Sequence, residues 1–176
     1  MARRARRHTR YNERAVPPVE KRMTQRRITL TMPACAADTF EAFHNHAVRM
    51  QWDTLLSKAG VEGGGTHPYI GAITFNQGRG WKRHFGMRTR FVNYRPSQVA
   101  AAVLVEPAGW FEWWAASMRH RDLGDNTSEL VYTFNVRLRP RWLGTFLDPL
   151  ANRVFEYETR QRFAAMAEYL RSRPHL

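Results

Sequence analysis

WLGTFLDPLANRVFEYETRQRFAAMAEYLRSR, residues 142–173, is the stretch that decides the fold. Within it, Asp148-Pro149 predicts the start of a helix, because a capping carboxylate followed by proline at the first helical position is a common opening. Apolar residues then recur at steps of three and four, which places them along one side of a helix: Leu150, Ala151, Val154, Phe155, Met166, Ala167 and Leu170. A helix of this extent is about 35 Å long, so it needs a large partner surface.

The chain before this helix can supply that surface as a series of short strands. Residues 27–32 alternate apolar and polar side chains, as a half-buried strand does, and residues 38–52 have the apolar spacing of helices. Further strand-like segments follow, separated by turn-forming residues: 69–75, 87–94, 99–105, 111–121 and 129–138, the last two paired across Gly124-Asp125-Asn126. Residues 76–86, with Trp81 and His84, are predicted as a Gly-rich basic connection. This order of elements predicts an α+β domain.

The formal net charge of +13 is concentrated near the N-terminus. Residues 1–27 hold ten Arg or Lys against two Glu, whereas the rest of the chain holds eighteen against thirteen acidic residues. Residues 1–25 lack hydrophobic periodicity and contain Pro17-Pro18, which predicts a disordered basic arm ahead of one folded domain, residues 26–173. Weak contact of residues 1–27 with nucleic acid or anionic lipid is one hypothesis for the arm. A solvated leader, or codons upstream of the true start, is the other.

The composition excludes several classes of protein. The apolar runs are far shorter than the roughly 18 residues that a transmembrane helix needs, and no apolar core of a secretory signal follows the first arginines. Cys35 is the single cysteine, so the chain can form neither an internal disulfide nor a thiolate metal cluster. His44 and His46 would point to nearly opposite sides of a helix and make a poor metal pair. The sequence therefore predicts a cytoplasmic protein without a metal or cofactor.

The order of the elements, with Trp52-Asp53 after the helical pair and Asp148-Pro149-Leu150 before the last helix, resembles the START-like helix-grip superfamily (SRPBCC). This group contains Bet v 1 relatives and polyketide cyclase/dehydrase-like proteins. The resemblance covers about residues 26–172 and rests on architecture and length. It implies a curved seven-stranded antiparallel sheet, two short helices after the first strand, and a long C-terminal helix that crosses the sheet around an apolar cavity. For function, the resemblance implies binding of lipids, sterols or polyketides, which is the role of most members. A minority of members are cyclases, dehydratases or hydratases.

Alternation along the strands indicates which side chains would face such a cavity. We expect a ligand site that is mostly apolar with a few polar groups, as most small-molecule sites are: Phe75, Phe91, Trp114, Met118, His120, Tyr132, Phe134 and Phe155. His120 is the candidate general acid or base, because imidazole exchanges a proton near neutral pH, and Tyr132 is the candidate to polarise a carbonyl beside it. For each aromatic residue the alternative is ordinary core packing, and for His120 it is a structural position between Arg119 and Arg121.

Three functional hypotheses follow from the sequence and the resemblance. The first is binding of a hydrophobic small molecule, such as a lipid, quinone or polyketide, for its transport or sequestration. The second is a polyketide cyclase or dehydratase that uses general acid–base catalysis by His120 and Tyr132. The third is association with nucleic acid or an anionic membrane through the basic arm. The sequence leaves the oligomeric state open.

Overall fold

The computed structural model describes residues 25–80 and 86–173, apart from the side chains of residues 141 and 143–146. The elements are β1 (Arg26–Met32), α1 (Ala36–His44), α2 (His46–Trp52), β2 (Leu56–Val61), β3 (Ile73–Gly78), β4 (Gly86–Arg95), β5 (Val99–Leu104), β6 (Phe111–Gly124), β7 (Thr127–Leu138) and α3 (Arg141–Ser172). The predicted basic arm up to residue 24, and Trp81 and His84 of the Gly-rich connection, lie outside the described residues.

The strands form one antiparallel seven-stranded sheet in the order β1-β7-β6-β5-β4-β3-β2. The two short helices follow β1, and α3 packs mainly on β7 and β1, so the predicted helix-grip architecture is confirmed. β2 is the strand that residue patterns alone did not identify. It covers Leu56–Val61 and pairs with β3, whereas residues 69–71, predicted as strand, precede β3. Gly60 and the polar residues around it weaken the alternating pattern there.

The hairpin between β6 and β7 turns where the sequence predicts it. Asp125 and Asn126 have φ angles of 49° and 52°, the left-handed pair that a two-residue type I′ turn requires. The hairpin is also hydrogen-bonded to the start of α1. Asn126 Oδ1 accepts the N–H of Cys35 at 3.2 Å, and Asp122 Oδ1, near the end of β6, accepts the N–H of Ala36 at 2.6 Å. The hairpin therefore fixes α1 against one end of the sheet.

The last helix begins at Arg141, seven residues before the predicted start at Asp148. The Asp148 carboxylate does not cap a helix: its Oδ1 accepts the backbone N–H of Leu138, at the end of β7, at 3.0 Å. Pro149 lies inside the helix. A proline in a helix interior removes one main-chain hydrogen bond. One turn later, the side chain of Asn152 contributes a hydrogen bond to the helix backbone, because its Nδ2 donates to the carbonyl of Asp148 at 2.7 Å. The local capping signature at Asp148-Pro149 therefore does not mark the start of this helix.

The inward side of α3 differs from the predicted stripe in its first half. Met166 and Leu170 are fully buried as predicted, together with Phe163, against Leu130 and Phe134 of the sheet. Leu150 and Val154, also in the predicted stripe, are more than half exposed. Ala151 and Phe155 of the predicted stripe are partly buried, and Asn152 and Thr159, which are not in the stripe, are buried. The sheet thus packs tightly on the C-terminal half of the helix.

Candidate functional site

Most of the predicted site residues share the helix-covered face of the sheet. The register aligns Phe91 with Ala102, Ala116 with both Ala102 and Phe134, and Met118 with Tyr132. Direct neighbours across strands point to the same face, so β4, β6 and β7 place these predicted residues together: Phe91, Trp114, Met118, His120, Tyr132 and Phe134. Phe155 reaches them from α3, with its ring 4.8 Å from that of Phe134.

Phe75 lies on the opposite face of the sheet, so the prediction that it shares this site is corrected. The hydroxyls of Thr74 and Thr89 are 2.9 Å apart, and both threonines are buried on the side of Phe91. Alternation then turns Phe75 outward. Its ring lies over Gly60 of β2, where a Cβ would be only 2.9 Å away.

His120 sits in an aromatic cluster that α1 and β4 build around it. Its ring centroid is 5.3 Å from that of Phe40 and 6.4 Å from that of His44, both on α1. His44 in turn lies 6.0 Å from Phe91 and 5.8 Å from Tyr94, both on β4. Trp114 packs against this cluster as well as against the main core under α3. Two imidazoles thus meet inside an aromatic environment.

Both imidazoles are buried without a full set of hydrogen bonds. His44 Nε2 and both ring nitrogens of His120 are inaccessible to solvent and have no hydrogen-bond partner among the described residues. Burial lowers the pKa of His120 to about 4. Burial also lowers the pKa of His44 well below its usual value, with smaller effects of His120 and Arg49 in the same direction. At neutral pH both rings are therefore uncharged, each able to donate one hydrogen bond and accept another.

Tyr132 faces a different polar group from His120. In the register His120 pairs with Leu130, and Tyr132 pairs with Met118, so the two are diagonal rather than direct neighbours. The ring of Tyr132 contacts Phe134 and Phe163, at 5.7 and 5.4 Å. Burial raises the pKa of Tyr132 to about 12, while Arg162 and Arg49 act in the opposite direction. These two arginines mark the second polar part of the site.

A buried ion cluster joins α2 to α3 near Tyr132. Arg49 Nε donates to Asp53 Oδ2 at 3.0 Å, and Arg162 Nε lies 3.1 Å from the same oxygen. The Asp53 side chain is completely buried, and its Oδ1 accepts the N–H of Leu55. The Arg49 guanidinium also stacks on Phe43, 4.1 Å from the ring centroid. We call Arg49, Asp53 and Arg162 the arginine cluster.

Residue patterns missed half of this site. The sequence points to His44 only as a poor metal ligand with His46, and it indicates no role for Phe40, Tyr94 or the arginine cluster. Phe40 and His44 are four residues apart and so share a helix face, but nothing local indicates that this face meets His120, more than seventy residues away. Among the described residues, no three His, Cys, Asp or Glu side chains are grouped to hold a metal ion. No helix in the described part of the chain is long and apolar enough to span a membrane.

Several solved structures are similar to this chain at low sequence identity. Zhui, an aromatase/cyclase from Streptomyces sp. R1128, has a TM-score of 0.71 and 15% identity over 88% of this chain and 97% of its own. A START superfamily protein from Mycobacterium smegmatis has a TM-score of 0.64 and 13% identity over 83% and 98%. The di-domain aromatase/cyclase BexL of the BE-7585A biosynthetic pathway has a TM-score of 0.67 and 9% identity over 83% of this chain, which spans 46% of BexL. No family model and no curated protein matches the chain.

Proposed function

Because the chain has the START-like helix-grip fold, we propose that it binds a hydrophobic small molecule on the helix-covered face of its sheet. A lipid, a quinone or a polyketide-like aromatic molecule fits this description. The fold alone is compatible with many functions, so the proposal rests on the side chains of the site. Its apolar part consists of Phe40, Phe91, Tyr94, Trp114 and Phe134.

The observation that carries the proposal is the pair of buried imidazoles without partners. A buried polar group that makes no hydrogen bond costs about 1–3 kcal/mol, and such groups in native proteins call for an explanation. A ligand that carries a carbonyl or hydroxyl would supply the missing partner to His120, and His44 lies close enough to contact the same ligand. The aromatic residues around the two rings would then bury the apolar body of that ligand.

Native mass spectrometry of the purified protein tests the proposal, followed by denaturing extraction to identify any bound species. We expect a stoichiometric hydrophobic ligand in the wild-type protein and lower occupancy in His120→Leu, which removes the ring nitrogens but keeps an apolar side chain. His67→Gln is the control, because His67 is an exposed histidine whose two ring nitrogens are already hydrogen-bonded, to Thr66 and Glu41. Absence of any bound species, together with no thermal shift from lipids, quinones or aromatic polyketides, would contradict the proposal.

The enzymatic alternative is a cyclase or dehydratase reaction by general acid–base catalysis. It is supported by the same two imidazoles, since each is neutral at pH 7 and can accept a proton from a bound ligand. A pKa near 4 makes His120 a weak base in the free protein, so this alternative requires the ligand to raise that pKa. It predicts that the wild-type protein converts an extracted ligand to a product of different mass, and that His120→Ala binds the ligand without converting it. Conversion at the wild-type rate by His120→Ala would exclude this role.

A further inference from the structure

The arginine cluster carries one positive charge more than its own carboxylate can balance. It contains two guanidinium groups and one carboxylate, and among the described residues the groups that raise the pKa of Arg49 are Asp53 and, to a smaller extent, Tyr132. The Asp53 carboxylate is already engaged on both oxygens, by the two arginines and by the N–H of Leu55. Because a buried charge is costly unless it is paired, this excess charge favours a further anion beside the cluster.

Arg162 is the most exposed member of the arginine cluster. Its Nε lies 3.1 Å from Asp53 Oδ2 but forms no hydrogen bond, and the atom is buried. The Arg162 side chain is nevertheless 21% exposed, whereas that of Arg49 is 8% exposed. Arg162 is therefore the member of the cluster that a ligand can reach, and its planar guanidinium suits a two-pronged contact with an anion.

A groove opens directly onto Arg162. It has a volume of about 280 Å³ and lies between the segment after α2 and one side of α3. Its lining consists of small or polar side chains around the charged pair: Asp53, Thr54, Leu55, Gln161, Arg162, Ala164 and Ala165. The two alanines leave room beside the guanidinium, and Gln161 adds an amide donor at the rim. A carboxylate, sulfonate or phosphate group fits this combination of space, charge and donors.

The arginine cluster also lies within electrostatic reach of both ends of the proposed hydrophobic site. Arg49 lowers the pKa of His44, and both arginines act on the hydroxyl of Tyr132. Phe43, which carries the Arg49 guanidinium on its face, packs against His44 and Phe163. Phe43 thus connects the arginine cluster by direct ring contacts to His44, which is part of the proposed site.

We propose that the groove beside Arg162 binds the anionic group of a hydrophobic acid, so that the ligand of this protein is an acidic amphiphile rather than a neutral one. This inference rests on the proposed function, because it assigns the polar end of the same ligand. Arg162 forms the ionic contact, and Arg49 holds Asp53 so that the guanidinium of Arg162 faces the groove.

A matched pair of fluorescent probes tests the inference. Phenylnaphthylamine is neutral, and anilinonaphthalene sulfonate is the same framework with one sulfonate, and both brighten when they enter apolar surroundings. We expect the wild-type protein to bind the sulfonate at least about tenfold more tightly, as one added charge-assisted hydrogen bond gives. Arg162→Gln should abolish this preference while leaving the affinity for the neutral probe unchanged.

Two further variants make the result specific to Arg162. Arg160→Gln is the matched control, since Arg160 is an exposed arginine on the same helix that pairs with Glu156, and it should retain the full preference for the sulfonate. Arg162→Lys keeps the charge but loses the planar fork, and should show an intermediate preference. If thermal unfolding shows that Arg162→Gln is not folded, Arg162→Lys takes its place in the comparison of the two probes.

The outcomes separate this inference from the proposed function. Equal binding of both probes by the wild-type protein, or an unchanged preference in Arg162→Gln, overturns the anion site and leaves hydrophobic binding standing. Binding of neither probe overturns both. Loss of the sulfonate preference in Arg160→Gln to the same extent as in Arg162→Gln also overturns the site, because the preference would then reflect the general positive charge of the helix.

Discussion

Asp53 supplies the carboxylate of the buried arginine cluster. Its carboxylate stands between Arg49 and Arg162, and its side chain has no contact with solvent. Burial lowers the pKa of Arg49 to about 10, and Asp53 acts against that effect. Arg49 therefore remains charged at neutral pH, and Asp53 contributes to this by raising its pKa.

Replacement of Asp53 by Asn should strongly destabilise the fold. Two guanidinium groups would be left without a counter-charge, and removal of one partner from a buried ion pair costs roughly 3 kcal/mol or more. Urea unfolding at neutral pH measures the change in the free energy of unfolding. Glu129→Gln is the control, because Glu129 pairs with exposed Arg121, and an exposed pair contributes less than about 1 kcal/mol. Equal effects of the two substitutions would contradict this view of the cluster.

The buried histidines make stability depend on pH in a defined direction. The pKa of His120 is lowered to about 4, and that of His46 to about 4, with burial as the main cause for both. Below pH 6.5 the unfolded chain therefore binds more protons than the folded one, so the free energy of unfolding falls as the pH falls, until the folded histidines also titrate.

His120→Asn should reduce this pH dependence. When the pH falls from about 6.5 to 5, one histidine with such a lowered pKa removes about 1.5 kcal/mol of stability, because the slope approaches 1.36 kcal/mol per pH unit once the unfolded histidine is protonated. We expect the difference in the free energy of unfolding between these two pH values to be smaller by about that amount in the variant. Urea unfolding at both pH values measures it. An unchanged difference would mean that His120 is accessible to protons in the folded protein.

The elements were more predictable than the contacts between them. Strand-like patterns and turn signals located six of the seven strands, and alternation placed Phe91 and Phe134 on the buried face. It misplaced Phe75, because the inward position of β3 is occupied by Thr74, a polar residue that pairs with Thr89. Asp148-Pro149 has the local signature of a helix start, yet the helix extends before it. The proximity of His44 and His120 depends on how α1 packs on β6, which no local pattern records.

The β6–β7 turn gives a test at the level of the element. Asn126 has a left-handed φ and also accepts the N–H of Cys35. Asn126→Ala should destabilise the fold by about 2 kcal/mol, because alanine resists this φ and cannot replace the hydrogen bond. Asn126→Gly separates the two effects: glycine adopts the φ freely, so its cost should be only that of the bond. Thermal or urea unfolding of both variants provides the comparison, and equal losses would exclude a conformational contribution.

Over the whole molecule, apolar surface is distributed unevenly around α3. The C-terminal half of the helix is held by the sheet and by α1, with Phe163, Met166 and Leu170 fully buried. Large apolar side chains remain exposed along its N-terminal half and on the turn before β6: Trp110, Trp142, Leu147, Leu150, Val154 and Tyr157. The contacts between α3 and the sheet are therefore concentrated in the C-terminal half of the helix. The stability of the domain should depend mainly on that half.

Two identical substitutions on α3 measure this asymmetry. Leu170→Ala removes a fully buried side chain and should lower the free energy of unfolding by about 3 kcal/mol, through lost burial and the cavity left behind. Leu150→Ala removes a side chain that is 59% exposed and should cost less than about 1 kcal/mol. Helix propensity changes equally in both, so the difference between the two losses reports tertiary packing alone. Urea unfolding of the two variants gives that difference. A loss in Leu150→Ala as large as in Leu170→Ala would mean that the N-terminal half of the helix is covered in solution, and that the sheet does not hold the helix at one end only.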